Sequence, residues 1–146
     1  MIHGAEIAAR ARAWVGTPYA HQAALKGIGC DCIGLIAGVA DEVGLPEARA
    51  WRSDVRFRGY APQPLPDKLL EACAAYLDAI PRCAAKDGDV LLFLIGKQPA
   101  HFGIVSSLAP LRMVHAWSPN RRVVEHGIDA KWHRRINRAF RLRGVD

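Results

Sequence analysis

The feature that most constrains the fold is a change in hydrophobic periodicity along the chain. Before Pro81 the apolar residues recur at helical spacing, whereas after Asp89 they form short β-prone runs broken by Gly, Pro or Asn. Helices followed by strands favour an α+β domain, with N-terminal helices packed on a C-terminal antiparallel sheet, over a parallel βαβ architecture. At 146 residues and 51% hydrophobic content, we expect residues 1–146 to form a single domain.

The apolar pattern of the first half predicts three helices, at residues 4–15, 32–43 and 69–80. Asp31 precedes the second helix as its N-cap, so Cys32 lies in the first helical turn. The stretch 47–66, which carries three prolines and scattered arginines, is expected to be a surface excursion within the same domain.

The β-prone runs predict five strands, at residues 90–95, 102–106, 111–116, 121–126 and 138–142. The second and third are expected to form a hairpin, which brings His115 near the level of His101. Gly103 follows His101 on the same face of its strand and leaves room for the imidazole ring.

Charge, apolar runs and cysteines limit the class of protein. The longest apolar run, Val90–Ile95, is far shorter than the roughly 20 residues of a membrane-spanning helix, so we expect no membrane span. No secretory signal peptide is visible at the start, which favours free thiols at the four cysteines over disulfides. The chain has a net charge of +6, and residues 112–143 hold nine Lys or Arg against only Glu125 and Asp129. A well-solvated basic face explains this excess as well as a binding site for a polyanion does. We expect no specific nucleic-acid partner.

Cys32 is the candidate nucleophile. A cysteine attacks a carbonyl as thiolate, and the unpaired N–H groups of a first helical turn are expected to lower its pKa and to bind an oxyanion. His101 is the candidate base and His115 the candidate orienting residue, although Asn120 or Asn137 could take that third role. Taken alone, a cysteine at a helix start is more often a small buried hydrophobe.

The other three cysteines are interpreted as packing residues. Cys30 and Cys32 form a Cys-x-Cys pair, but no further ligands follow at the spacing of a metal site. Cys73 lies on the apolar stripe of the third predicted helix, and Cys83 follows its end. We therefore expect neither a metal nor an organic cofactor.

Five short segments occur in a fixed order: Gly16–Tyr19 (GTPY), Gly29–Leu35 (GCDCIGL), Asp87–Phe93 (DGDVLLF), His101–Val105 (HFGIV) and Val114–Ala116 (VHA). In order and approximate spacing they resemble the hallmark segments of NlpC-type cell-wall cysteine peptidases. The resemblance implies a papain-like NlpC-type fold in which Cys32 is the nucleophile, His101 the base and His115 the orienting residue. Ile33 departs from the commonest family motif, which has serine at that position.

The resemblance also implies a substrate. Family members typically hydrolyse amide bonds in peptidoglycan stem peptides, often between D-glutamate and diaminopimelate, and Tyr19, Asp31 and Trp117 are the expected substrate-binding residues. The main alternative is an N-acetylmuramoyl-L-alanine amidase, in which the same three catalytic residues cleave the amide that joins the glycan to the stem peptide.

The segments Gly29–Cys32 (GCDC) and Tyr19–Gln22 (YAHQ) look most like the subgroup encoded with phage and phage-like tail genes. That resemblance implies tail hub or baseplate proteins as partners. It also implies a virion- or tail-associated location, with action at the cell wall or periplasm. A catalytically silent structural or docking module of a tail tip remains the alternative of a different class.

Overall fold

The elements follow one another along the chain as helices and then strands. The computed structural model describes residues 1–54 and 66–146. In this part of the chain the helices are α1 (Gly4–Ala13), α2 (Cys32–Glu42), α3 (Ala48–Ser53), α4 (Pro66–Tyr76) and α5 (Ala130–Arg135). The strands are β1 (Ala24–Leu25), β2 (Gly29–Cys30), β3 (Leu77–Ile80), β4 (Val90–Ile95), β5 (Gln98–Leu108), β6 (Leu111–Trp117), β7 (Arg122–Gly127) and β8 (Ile136–Leu142).

Six of these strands form one antiparallel sheet in the order β3-β8-β4-β5-β6-β7, and β1 pairs with β2 in a separate two-stranded sheet. The expected α+β fold is therefore confirmed, and so are the five expected strands, which correspond to β4 to β8. Strands β5 and β6 form the expected hairpin, with Ile104 opposite Val114.

The two faces of the sheet bury different side chains because successive strand residues point in opposite directions. The face toward α1, α2 and α4 buries Leu92, Ile104 and Val114 in the main hydrophobic core. The opposite face buries Leu91 and Val105 in a smaller cluster. Full burial of one such side chain contributes about 1.5–3 kcal/mol, so the face toward the helices supplies most of the apolar stabilisation.

Helix α2 is fixed at its start and along its length by local contacts. The Asp31 carboxylate accepts a hydrogen bond from the Gly34 N–H at 2.8 Å, which confirms the expected N-cap. Gly38 packs so closely on the Trp14 indole that an added Cβ would overlap the ring. Gly44 follows the helix with a φ of 77°, in the left-handed region that glycine adopts freely.

The third predicted helix ends earlier than expected. Helix α4 ends at Tyr76, and the next four residues form β3, in which Leu77 pairs with Leu142 of β8. Leu77 and Ile80 fit a helical stripe, but they belong to different clusters, Leu77 to the core under the helices and Ile80 to the opposite face. A strand places them on opposite faces, so that Leu77 is buried in one cluster and Ile80 packs, partly buried, against the other.

The expected surface excursion at 47–66 is wrong for the residues that the structure describes. Residues 48–53 form α3, and the Trp51 side chain is only 2% exposed. Its ring lies 5.6 Å from that of Tyr76, centroid to centroid, and the Tyr76 hydroxyl donates to Asp54 at 2.6 Å. Burial of one tryptophan outweighs the polar composition of this short helix. The remainder of the stretch, residues 55–65, lies outside the described residues.

All four cysteines are free, as expected. Cys30 and Cys73 are fully buried in the main core, which confirms them as packing residues. Cys83 is exposed, so its interpretation as a packing residue is wrong. Among the described helices, none has the length and apolar character to span a membrane.

Candidate active site

Cys32 begins α2, and its sulfur lies against the backbone of Phe102 in β5. The backbone N–H groups of Phe102, Ile33 and Cys32 itself all favour the thiolate form. Phe102 directly follows His101 along β5, so this contact brings the thiol to the strand segment that carries the expected base. The packing of α2 on the sheet therefore brings the Cys32 thiol to the backbone of Phe102, the residue that follows His101 in β5.

The pKa of Cys32 differs from the sequence-based expectation. Burial raises it to about 12, and the negative charge of Asp31 raises it further, whereas the three N–H groups lower it by less. The expected low pKa is therefore wrong, because desolvation is a tertiary effect that outweighs the helix N-terminus. At neutral pH the thiol keeps its proton, and attack on a carbonyl requires a base that removes it.

His101 and His115 lie side by side on β5 and β6. His101 Nε2 lies 2.7 Å from His115 Nδ1, and the two side chains are 4% and 0% exposed. The two rings therefore lie next to each other across the hairpin, as expected. The residue in contact with the candidate base is His115, rather than Asn120 or Asn137. Gly103 leaves space for the side chains of β6, since a Cβ there would come 2.8 Å from Met113 Sδ and 3.6 Å from the Cβ of His115.

Both histidines are neutral at neutral pH. Burial lowers the pKa of His101 well below 6.5, and His115, Arg135 and His126 lower it further. Burial lowers the pKa of His115 to about 3, with a smaller contribution from His126. A neutral imidazole can accept a proton, so His101 has the form that a general base needs.

A third histidine extends this pair, and sequence reasoning assigned it no role. His126 Nε2, on β7, lies 2.7 Å from His115 Nε2, and His126 Nδ1 lies 2.8 Å from the Gly127 carbonyl oxygen. We call His101, His115 and His126 the histidine chain. Its third member was missed because its position depends on the β6–β7 register, in which His126 lies opposite Met113.

Two tryptophans enclose the histidine chain. The Trp117 ring centroid lies 4.8 Å from that of His101, and the Trp132 ring centroid lies 5.1 Å from that of His115. Trp132 comes from α5, whose N-cap Asp129 accepts a hydrogen bond from the Trp132 N–H at 2.9 Å. These rings remove water from the imidazoles, which accounts for the desolvation that lowers their pKa values.

Comparison with known proteins identifies this architecture. No protein-family model and no curated protein matches the sequence. Among solved structures, the NlpC/p60 domain of the peptidoglycan hydrolase SagA is similar over 97% of this chain and 100% of that chain, with a TM-score of 0.65 and 22% identity. The fold is the NlpC/p60 fold. An NlpC/P60 family protein from Bacillus cereus matches 95% of this chain with a TM-score of 0.66 and 17% identity.

The NlpC/p60 fold corresponds to the whole of some of these structures and to part of others. The P60 domain of an antigen from Mycobacterium avium subspecies paratuberculosis is matched over 93% of its length, with a TM-score of 0.58 and 18% identity. The chain spans only 40% of the Bacillus cereus protein and 41% of a lipoprotein-like NLP/P60 protein from Staphylococcus aureus. At these identities the similarity establishes the expected papain-like, NlpC-type fold.

In this NlpC/p60 fold, Tyr19 lies near Cys32, the candidate nucleophile. Its backbone pairs with Cys30 and donates to the Arg121 carbonyl at 2.9 Å. Burial raises the pKa of Tyr19 to about 12, and the neighbouring Cys32 raises it further, so the phenol keeps its proton. A protonated hydroxyl at this place can donate to a substrate, and the substrate-binding role of Tyr19 stays a prediction. The same holds for Trp117 at the His101 ring.

Asp31 is 2% exposed and holds backbone groups on both sides of Cys32. Its two oxygens accept hydrogen bonds at 2.8 Å from the N–H groups of Gly34 and Gln22. Burial raises its pKa, while these two hydrogen bonds and His21 lower it. These contacts fix the loop that precedes α2, and the expected role of Asp31 in substrate binding stays a prediction.

A cleft of about 290 Å³ adjoins Asp31, between β1, α2 and α3. Ile33, Trp51 and Arg52 contribute to its walls. Ile33 is the position where the commonest motif of NlpC-type peptidases has serine, so this wall is apolar here. Within residues 1–54 and 66–146, no group of three or more His, Cys, Asp or Glu side chains is arranged to hold a metal ion.

Proposed function

We propose that this chain is a cysteine peptidase of the NlpC/p60 family that hydrolyses amide bonds in peptidoglycan stem peptides. The observation that carries the proposal is the meeting of the Cys32 thiol with the β5 segment that begins at His101, whose ring is hydrogen bonded to His115. This arrangement lies on a fold shared with the peptidoglycan hydrolase SagA. A nucleophile, a base and a group that orients the base are what acyl transfer requires.

The first half of the reaction forms an acyl-enzyme. Because His101 Nε2 is bonded to His115, Nδ1 is the nitrogen that takes the proton from the Cys32 thiol. The thiolate attacks the amide carbonyl, and the backbone N–H groups at the start of α2 bind the oxyanion. The C–N bond then breaks as the His101 imidazolium gives its proton to the leaving amine.

The second half returns the enzyme to its starting state. Water attacks the thioester carbonyl while His101 Nδ1 accepts the water proton, and the same N–H groups bind the second oxyanion. Collapse of this intermediate breaks the C–S bond, and the sulfur regains a proton from His101. The neutral thiol and the neutral imidazole are thus both the start and the end of the cycle.

The peptidoglycan bond that is cleaved and the particle that carries the enzyme are two further points that we propose. The resemblance of the five sequence segments to NlpC-type peptidases supports cleavage between D-glutamate and diaminopimelate. The segments around Cys32 and Tyr19 support a place in a phage or phage-like tail tip that opens the wall locally. Hub or baseplate proteins would then be the assembly partners. Mass spectrometry of purified tail particles tests this setting, since a tail component is present at a fixed ratio to the hub protein.

Digestion of purified peptidoglycan tests the activity and the bond together. The wild type, Cys32→Ala and the control Cys83→Ala, which removes an exposed thiol, are incubated with the wall, and the soluble fragments are identified by mass spectrometry. New D-glutamate or diaminopimelate termini from the wild type and Cys83→Ala alone support the endopeptidase. Release of intact stem peptides identifies an amidase, and no release by any protein supports the silent tail-tip module.

A further inference from the structure

The outer end of the histidine chain determines where its hydrogens lie. His126 Nδ1 lies 2.8 Å from the carbonyl oxygen of Gly127. A carbonyl oxygen can only accept a hydrogen bond, so Nδ1 carries the hydrogen. In a neutral imidazole the second nitrogen then has none, and His126 Nε2 is an acceptor.

This assignment continues inward through both 2.7 Å contacts. His126 Nε2 accepts, so His115 Nε2 is the donor and His115 Nδ1 is bare. His115 Nδ1 then accepts from His101 Nε2, which leaves His101 Nδ1 without a hydrogen. That bare nitrogen is the one that must take the proton of the Cys32 thiol.

We infer that His126 is a positioning residue that fixes the tautomer of His101 through His115, and that a proton on His126 reverses the chain and disables the base. The inference rests on the proposed function only for the role of His101 as base. The tautomers themselves follow from the three ring contacts and the Gly127 carbonyl.

The reversal follows from the same donor and acceptor count. Protonated His126 carries hydrogens on both nitrogens, so its Nε2 donates to His115 Nε2. His115 must then hold its hydrogen on Nδ1 and donate it to His101 Nε2. His101 is left with its hydrogen on Nδ1, the nitrogen that the proposed mechanism uses as the base, and it can no longer accept the thiol proton.

His126 is the member of the histidine chain that solvent reaches most readily. His101 and His115 are buried, whereas His126 is half-exposed. The charged side chains on the adjoining elements interact with other partners. Arg112 of β6 forms an ion pair with Glu125 of β7 at 3.9 Å, and the Arg135 guanidinium of α5 lies 4.9 Å from the centre of the Trp132 ring. His115 is the titratable group in direct contact with His126.

Histidine NMR on the full chain reads the tautomers without any substrate. Ring carbon and nitrogen chemical shifts separate the Nδ1–H and Nε2–H forms. We expect His126 in the Nδ1–H form and His115 and His101 in the Nε2–H form. In His126→Leu, which removes the acceptor, we expect His101 to become a mixture of both forms, whereas His126→Gln keeps an amide oxygen that accepts from His115.

The rate of Cys32 alkylation gives a functional readout that also needs no peptidoglycan. We expect His126→Leu to lower this rate by about tenfold at neutral pH and His126→Gln to restore most of it. If a proton on His126 reverses the chain, His126→Gln retains its alkylation rate to lower pH than the wild type does. His133→Leu, at an exposed histidine of α5, is the control for surface changes.

Two results overturn the inference: an unchanged His101 tautomer in His126→Leu, or identical pH profiles for the wild type and His126→Gln. A uniform loss of rate in both His126 variants, with wild-type tautomers, also overturns it, because it indicates a merely structural role. If peptidoglycan is not cleaved but the tautomers and pH profiles are as expected, the proposed function fails and the positioning role of His126 stands.

Discussion

Cys32 at the start of α2, the proposed nucleophile, and Cys73 within α4, a packing residue, are both buried thiols with different neighbours. Burial raises the pKa of each to about 12. Cys73 is fully buried in the apolar core, with the charge of Arg138 as its main compensating influence. Cys32 instead lies against backbone N–H groups and the strand that carries His101. Burial is common to both, so we expect the proposed base, His101, to make the difference in reactivity.

The largest expected effect separates the two cysteines. We expect Cys32→Ala to lower the rate of peptidoglycan hydrolysis by at least about 10³-fold, because the proposed acyl-enzyme forms on the Cys32 sulfur. Cys73→Ala should keep the rate within about twofold but lower the free energy of unfolding by about 1 kcal/mol through lost core packing. Fragment release and urea unfolding measure the two quantities, and equal loss of hydrolysis in both variants would contradict the comparison.

Removal of the base is expected to bring Cys32 close to the state of Cys73. We expect His101→Ala to lower the hydrolysis rate by about 10²–10⁴-fold, because the thiol keeps its proton at neutral pH. The exposed His133→Ala is the matched control and should hydrolyse at the wild-type rate. A His101→Ala variant that is folded by circular dichroism and still active at the wild-type rate would assign the proton transfer to another group.

The pH dependence of stability tests the buried histidines. Because folding lowers the pKa of His115 from 6.5 to about 3, the unfolded chain binds more protons between these values. The stability that neutral His115 allows is present above about pH 6.5 and is lost as the pH falls toward its folded pKa. We expect His115→Gln to reduce the slope of unfolding free energy against pH by about 1.4 kcal/mol per unit in this window.

Urea unfolding at several pH values measures that slope. His133→Gln is the control, because it removes an exposed histidine and leaves the buried pair in place. An identical slope for the wild type and His115→Gln would show that His115 takes up no extra proton on unfolding.

The smallest expected effect on hydrolysis comes from two glycines, Gly103 in β5 and Gly38 in α2. A Cβ at Gly103 meets Met113 Sδ and lies 3.6 Å from the Cβ of His115, whereas the atoms nearest to a Cβ at Gly38 belong to the Trp14 indole in the helix layer. We expect each alanine variant to lose about 1–3 kcal/mol of stability from overpacking. Only Gly103→Ala should also slow hydrolysis, by about tenfold, because it shifts the orienting histidine. Equal hydrolysis rates in the two variants would contradict this.

The sequence was sufficient where local signals agree with the tertiary structure. Asp31 and the helical spacing after it predicted both the N-cap and the place of Cys32, since capping depends on neighbouring residues alone. The turn between β5 and β6 is short, so the hairpin and the level of His101 and His115 could also be predicted.

Other features depend on contacts that the sequence does not contain. The register that brings His126 to His115 is set across the β6–β7 turn, where Arg121 adopts a φ of 59°. Trp51 is buried by a helix too short to show a periodic pattern, and Leu77 belongs to a strand because the sheet has two buried faces. The raised pKa of Cys32 is an effect of burial, which only the folded chain defines.

The most direct test of the central claim compares the four cysteines in one sample. The native protein is alkylated with iodoacetamide at neutral pH, and peptide mass spectrometry follows each thiol, with exposed Cys83 as an internal reference. We expect Cys32 to react much faster than Cys73 in the wild type and to fall toward the rate of Cys73 in His101→Ala. Equal rates for Cys32 and Cys73 in the wild type would show that Cys32 is only another buried thiol.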